Sequence, residues 1–120
     1  MKSYRELIVW QKGVDLSVRI YDATKSFPQE EAFGMTSQIR RSAISIPSNI
    51  AEGYGRSSQA DFARFLKIAS GSLYELQTQL EISKKIKYIT SEQFDNIWNL
   101  SIEIGKMLSS LISKIQKSSS

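Results

Sequence analysis

Catalytic sites need groups that can move a proton, bind a metal or attack an electrophile, and this chain has few of them. Its 120 residues contain no histidine and no cysteine. That removes the commonest general base, the commonest metal ligand and all thiolate or disulfide chemistry. Serines are plentiful, but no imidazole can activate them. Ser83 precedes Lys84, yet adjacent helical residues project about 100° apart and do not act as a pair. Carboxylate metal sites in helical bundles use inward-facing Glu-x-x-His pairs, whereas Glu52 and Glu75 lie off the apolar stripes with no histidine beside them. Gly53-Tyr54-Gly55 fits neither a P-loop nor G-x-G-x-x-G and reads as a helix-ending turn. The expectation is a protein that is not an enzyme and uses no cofactor and no metal.

What remains is charge and hydrogen bonding. Sixteen basic and twelve acidic residues give a net charge of +4, which permits attraction to nucleic acid without demanding it. Arg40, Arg56, Arg64, Lys67, Lys84, Lys85 and Lys87 fall on the second and third helical segments or at their ends, and are the candidate contacts to an RNA or DNA backbone. Lys106, Lys114 and Lys117 add charge on the fourth. Such contacts neutralise phosphates without reading bases. No recognition-helix motif and no aromatic-basic platform accompanies them.

The second polar set is a seam on one helix, formed by Arg41, Ser42, Ser45, Ser48, Asn49 and Glu52. Arg41 and Glu52 are 11 residues apart, roughly 16 Å along a helix axis, so each needs another partner. With helix three antiparallel to helix two, Glu75 falls near Arg41, and Asp61 and Arg64 fall near Glu52. An Arg41–Glu75 ion pair is expected. The seam either fixes helix register or lies at a subunit interface or channel.

Four helical segments position these groups. The first runs from about Arg5 to Lys25, with Leu7, Trp10, Val14, Val18 and Tyr21 as its stripe. Val9, Leu16 and Ile20 lie outside that stripe, so the helix is either deeply buried or has a second partner. Residues 28–34 connect it to helix two, about Met35 to Glu52. There Ile39, Ala43, Ile46 and Ile50 form one face, widened by Ile44 and Ala51. Pro47 sits inside, where it removes a hydrogen bond and predicts a kink. Gly53 and Gly55 end the helix. Helix three, from about Gln59 to Lys87, is capped by Ser58 and carries Phe62, Leu66, Ala69, Leu73, Leu76 and Leu80. Helix four follows a Thr90–Gln93 capping box and carries Phe94, Ile97, Ser101, Ile104, Leu108, Leu111 and Ile115. Short loops between long helices predict antiparallel neighbours: an all-α, up-down-up-down four-helix bundle in a single domain, residues 1–120. The N-terminus lacks a signal peptide and no apolar run reaches the ~20 residues of a membrane span, so a soluble cytoplasmic protein is expected.

Residues 38–53, Gln-Ile-Arg-Arg-Ser-Ala-Ile-Ser-Ile-Pro-Ser-Asn-Ile-Ala-Glu-Gly, resemble the QxRRAxxSIPxNIAEG motif of the bacterial "four helix bundle protein" family, the 23S-rRNA-intervening-sequence proteins. Ser42 replaces the usual alanine. Residues 4–12, 33–38 and 71–80 resemble the family's other motifs. The resemblance implies a ring-shaped homopentamer with a central channel. It also implies kinship with the accessory variability proteins of diversity-generating retroelements, basic pentameric partners of a reverse transcriptase and RNA. It marks Arg41, Pro47, Ser48, Asn49, Glu52, Gly53 and Glu75 as a structural or interface motif. Two functions follow: a non-enzymatic oligomeric scaffold or adaptor with affinity for RNA or DNA, or a protein-interaction module with no nucleic-acid role.

Overall fold

Two caps written in the sequence start the two longest helices. Ser58 Oγ accepts from the N–H of Asp61 at 3.1 Å. Thr90 and Gln93 each donate a backbone N–H to the other's side chain at 3.0 Å, the reciprocal arrangement that satisfies two orphan donors at once. The computed structural model describes residues 2–119. In it, α1 (Ile8–Thr24), α2 (Met35–Tyr54), α3 (Gln59–Lys85) and α4 (Ser91–Ser119) follow one another, with single 3-10 turns at Tyr4–Glu6 and Gln29–Glu31. No strand occurs among the described residues.

Cross-helix pairs fix the directions. Gly13 meets Pro47 and Thr24 meets Arg40 between α1 and α2. Ser45 meets Ser72 and Gly53 meets Phe62 between α2 and α3. Leu73 meets Gly105 and Lys84 meets Phe94 between α3 and α4. Lys12 meets Glu103 and Arg19 meets Asn96 between α1 and α4. In every set one number rises as the other falls, so all neighbours are antiparallel. Each helix packs on its chain neighbours, α4 closes on α1, and the diagonal pairs make no backbone contact. The bundle is up-down-up-down, as the loop lengths predict.

The stripes of α3 and α4 are the core. Leu66, Ala69, Leu73, Leu76, Leu80, Ile104 and Leu108 are almost wholly buried; Phe62 and Leu111 sit half-buried at the edge. Helix one departs from the predicted stripe. Its buried residues are Val9, Gly13, Leu16, Ile20, Ala23 and Thr24, while Val14, Val18 and Tyr21 face solvent. Both sets have helical spacing, and what selects the inner one is Gly13, which lets α1 close on the Pro47 ring. A Cβ at Gly13 would lie 3.3 Å from Pro47 Cβ. Helix two likewise leaves Ile44 exposed and buries Ser42.

Helix two continues through Pro47 and ends at Tyr54 rather than at Gly53. Gly53 is needed for approach, not for a turn: a Cβ there would sit 2.6 Å from Phe65 Cβ. At the far end of α3, Tyr88 N–H donates to the carbonyl of Ser83 and Lys87 N–H to that of Lys84. Lys87 occupies the left-handed position this motif requires, with φ 67°, where glycine is the usual residue.

Candidate functional site

The seam on α2 is a register lock against α3. Ser45 Oγ and Ser72 Oγ share a hydrogen bond of 2.8 Å. Asn49 donates its amide to the Ser45 carbonyl at 2.8 Å and to Ser45 Oγ at 2.9 Å. Small side chains let the two backbones close while their hydroxyls pair. Ser48 points to solvent and Pro47 is buried toward α1. Glu52 pairs with Arg56 in the next turn at 2.6 Å.

The expected Arg41–Glu75 ion pair does not form. Both side chains are exposed and line the same groove between α2 and α3, but among the described residues neither has an ion-pair partner. Helix direction and the Ser45–Ser72 register bring them to one level of the same groove, where the two charged groups stay beyond ion-pair distance. Gln79 also lines this groove, and its Oε1 is buried without a hydrogen-bond partner. At the lip stands Phe33, 98% exposed. The sequence offered two signals for Phe33: a large aromatic beside Gly34 in a polar connection, and a place at the head of the 33–38 motif.

The basic candidates divide between the two ends of the bundle. Arg56 and Arg64 flank the Phe65 ring, with guanidinium carbons 4.7 and 4.5 Å from its centroid. Their charge is shared with Glu52 and Asp61. Lys67 is exposed one turn further along α3. Lys84, over the Phe94 ring at 4.3 Å, lies with exposed Lys85 and Lys87 at the opposite end, roughly 30 Å from Arg64 at 1.5 Å per residue. Arg40 closes the C-terminus of α1: it donates to Thr24 Oγ1 at 2.8 Å and covers the Tyr21 ring at 4.5 Å. These seven residues therefore make two patches, not one platform.

A latch joins the connections at the second end. Glu31 Oε1 accepts from Met35 N–H at 3.1 Å, and Oε2 accepts from Tyr88 O–H at 2.8 Å. These bonds hold the Glu31 carboxyl below its usual range and push the Tyr88 phenol above its own. The Tyr88 ring rests on Phe27, 5.2 Å between centroids.

A model of the 23S rRNA-intervening sequence protein family matches residues 5–110. The chain belongs to that family. It is also similar to a crystal structure, at 1.70 Å resolution, of a protein of unknown function from the S23 ribosomal protein family of Bacteroides thetaiotaomicron VPI-5482. The two share 38% identity and a TM-score of 0.79 over 88% of this chain and 98% of the other. A comparison with curated proteins finds no match. The family membership agrees with the architecture.

Two surfaces remain without a partner in the single chain. One joins Val14, Val18 and Tyr21 of α1 to Ile44 of α2; Val18 is 61% exposed. The other carries Ile68, Tyr74, Ile82 and Ile86 along the outside of α3, beside Gly71, which has nothing within 4 Å of a Cβ position. Phe33 borders the first, lining a groove with Tyr21 and Ile44, and also lines a second groove with Glu75 and Gln79. Among the described residues no cluster of three metal-ligating side chains occurs, and no helix is long and apolar enough to cross a membrane.

Proposed function

We propose that this protein is a non-enzymatic, homo-oligomeric scaffold or adaptor that holds RNA or DNA by its phosphate backbone. The observation that carries the reading is the pair of exposed apolar faces. They involve different helices and different residues, so they are not copies of one self-matching patch. Contact between one face and the other is head-to-tail, and such contacts close into rings when the rotation permits. The homopentamer implied by the family resemblance is one such ring. Five copies at +4 apiece would carry +20, and weak phosphate contacts on each copy would add through avidity.

Light scattering at micromolar concentration tests the assembly. A particle of several subunits is expected, and Val18→Glu or Ile82→Glu lowers its mass without changing helicity. A monomeric wild type overturns the ring. Fluorescence anisotropy with structured RNA and duplex DNA tests the second half. Binding is expected to weaken steeply between low and near-physiological salt. No binding at low salt overturns the nucleic-acid role.

One observation favours a protein-interaction module instead. Arg40, Arg56 and Arg64 already engage Thr24, Glu52 and Asp61 within the chain, which leaves less free charge for phosphates. A protein partner on the apolar faces would bind with little dependence on salt.

A further inference from the structure

We infer that the groove between α2 and α3 is a pocket for a single unpaired purine, guanine in particular, stacked on Phe33. The inference rests on the nucleic-acid reading and adds what the basic patches cannot supply, which is contact with a base. The groove is lined by Phe33, Ser37, Gln38, Arg41, Glu75 and Gln79 among others, and its volume is 530 Å³. That lies within the range of small-ligand pockets.

Its groups are unsatisfied in complementary senses. Glu75 is a carboxylate with no cation beside it, and Arg41 is a guanidinium with no anion beside it. They flank the groove more than an ion-pair distance apart. Gln79 Oε1 is buried and accepts nothing. That oxygen is closed off from the groove, so recognition of an occupant falls to Glu75 and Arg41. The occupant must therefore offer two adjacent donors on one edge and acceptors on the next. Guanine does this: its N1–H and N2–H₂ suit a carboxylate, and its O6 and N7 suit the fork of an arginine. Adenine, cytosine and uracil each lack the paired N–H donors.

Phe33 supplies the remaining part. An exposed aromatic ring at the mouth of a polar pocket is how unpaired bases are held, by stacking one face while their edges are read. At 98% exposure the ring has no packing role inside the chain. Gly34, next to it, adopts φ −109° and ψ −115° and turns the chain into α2, which leaves Phe33 on the outside of that turn.

The experiment is an anisotropy titration of full-length protein with labelled single-stranded (UG)6, (UI)6 and (UA)6 RNA at near-physiological salt. Inosine keeps O6, N7 and N1–H but lacks the N2 amino group. (UG)6 is expected to bind about tenfold tighter than (UA)6, as one well-made bidentate base contact gives, with (UI)6 between them. Glu75→Gln should abolish the preference while leaving (UA)6 binding in place. Phe33→Ala should weaken every RNA by about five- to a hundredfold, the loss of one stacked base, with particle mass unchanged. Equal affinity for the three RNAs overturns this inference and leaves backbone binding standing. So does a Phe33→Ala protein that changes mass but keeps its RNA affinity, since Phe33 would then be a subunit contact. Absence of binding to any RNA even at low salt overturns both readings together.

Discussion

Replacing Gly53 with alanine puts one methyl group where α2 and α3 pack closely. In an ordinary helix this substitution stabilises by about 1 kcal/mol, because glycine is the poorer helix former. Here the added Cβ would lie 2.6 Å from Phe65 Cβ, 3.1 Å from Phe62 Cδ1 and 3.3 Å from the Phe62 carbonyl oxygen. Carbon atoms pack at about 3.5–4.0 Å, so the first contact is short by about 1 Å. Phe65 Cβ is bonded directly to the backbone and no rotamer moves it away. The helices must part, and overpacking of this kind costs about 1–3 kcal/mol. After the helix-forming gain, a net loss of up to about 2 kcal/mol is expected. For a domain of this size that lowers Tm by up to about 8 °C. Gly55 is the control. A Cβ there meets only the Glu52 and Ala51 carbonyls at 3.6 and 3.9 Å, and φ is −79°, so Gly55→Ala should change stability by less than about 0.5 kcal/mol, the range for substitutions that disturb no packing. Circular dichroism melts at 222 nm decide it. A Gly53→Ala protein that melts at or above wild type would refute the close-approach account.

Three further outcomes follow from sites described above. Ser83 is fully buried and its Oγ has no partner, so Ser83→Ala should stabilise by about 1 kcal/mol in urea unfolding; a loss of that size would show that the hydroxyl has a partner. Lys87 holds a left-handed conformation that suits glycine, and Lys87→Gly should raise Tm by the equivalent of about 1 kcal/mol. An unchanged Tm would argue against strain there. The Glu31 carboxyl is held down chiefly by the Met35 N–H, with help from Tyr88. Its folded pKa lies below its unfolded one, so its contribution is present above the unfolded value and fades as pH falls through the folded value. The stability difference between wild type and Glu31→Gln should therefore shrink as pH is lowered from neutrality through the carboxylate range. A constant difference across that range would remove Glu31 from the account.

The fold was legible where period and caps agreed. The stripes of α3 and α4, the Ser58 cap and the Thr90–Gln93 box all hold, because each is a local rule. Helix one was misread because Val14, Val18 and Tyr21 keep the same spacing as Val9, Leu16 and Ile20. Periodicity alone does not say which stripe turns inward; contact with a neighbour, Gly13 against Pro47, decides it. Gly53 resembles a helix terminator in sequence and acts as a packing gap in space. For the site, antiparallel geometry correctly carried Glu75 to the neighbourhood of Arg41. Whether they touch depends on where the two long side chains lie across that shared level, which no pattern encodes. Phe33 and Gln79 lie within the 33–38 and 71–80 motifs, but the exposure of one and the orphaned oxygen of the other were not legible, since exposure and satisfaction are properties of the assembled surface.

The order of the helices around the square also has a kinetic meaning. Three of the four seams join consecutive helices, and only α1 with α4 joins the two ends of the chain. Predominantly local contacts place such bundles among fast folders, about microseconds to milliseconds. The end-to-end seam carries the largest loop-closure entropy, and its polar links, Lys12 to Glu103 and Arg19 to Asn96, are surface bonds that contribute little. The earliest opening is expected at this seam, and hydrogen exchange faster in α1 than in α2 and α3 would show it. In a crowded assembly of identical chains, the α1 that leaves one bundle can settle in the vacancy of its neighbour, so exchange of this helix between copies is the route by which subunits would become interlocked.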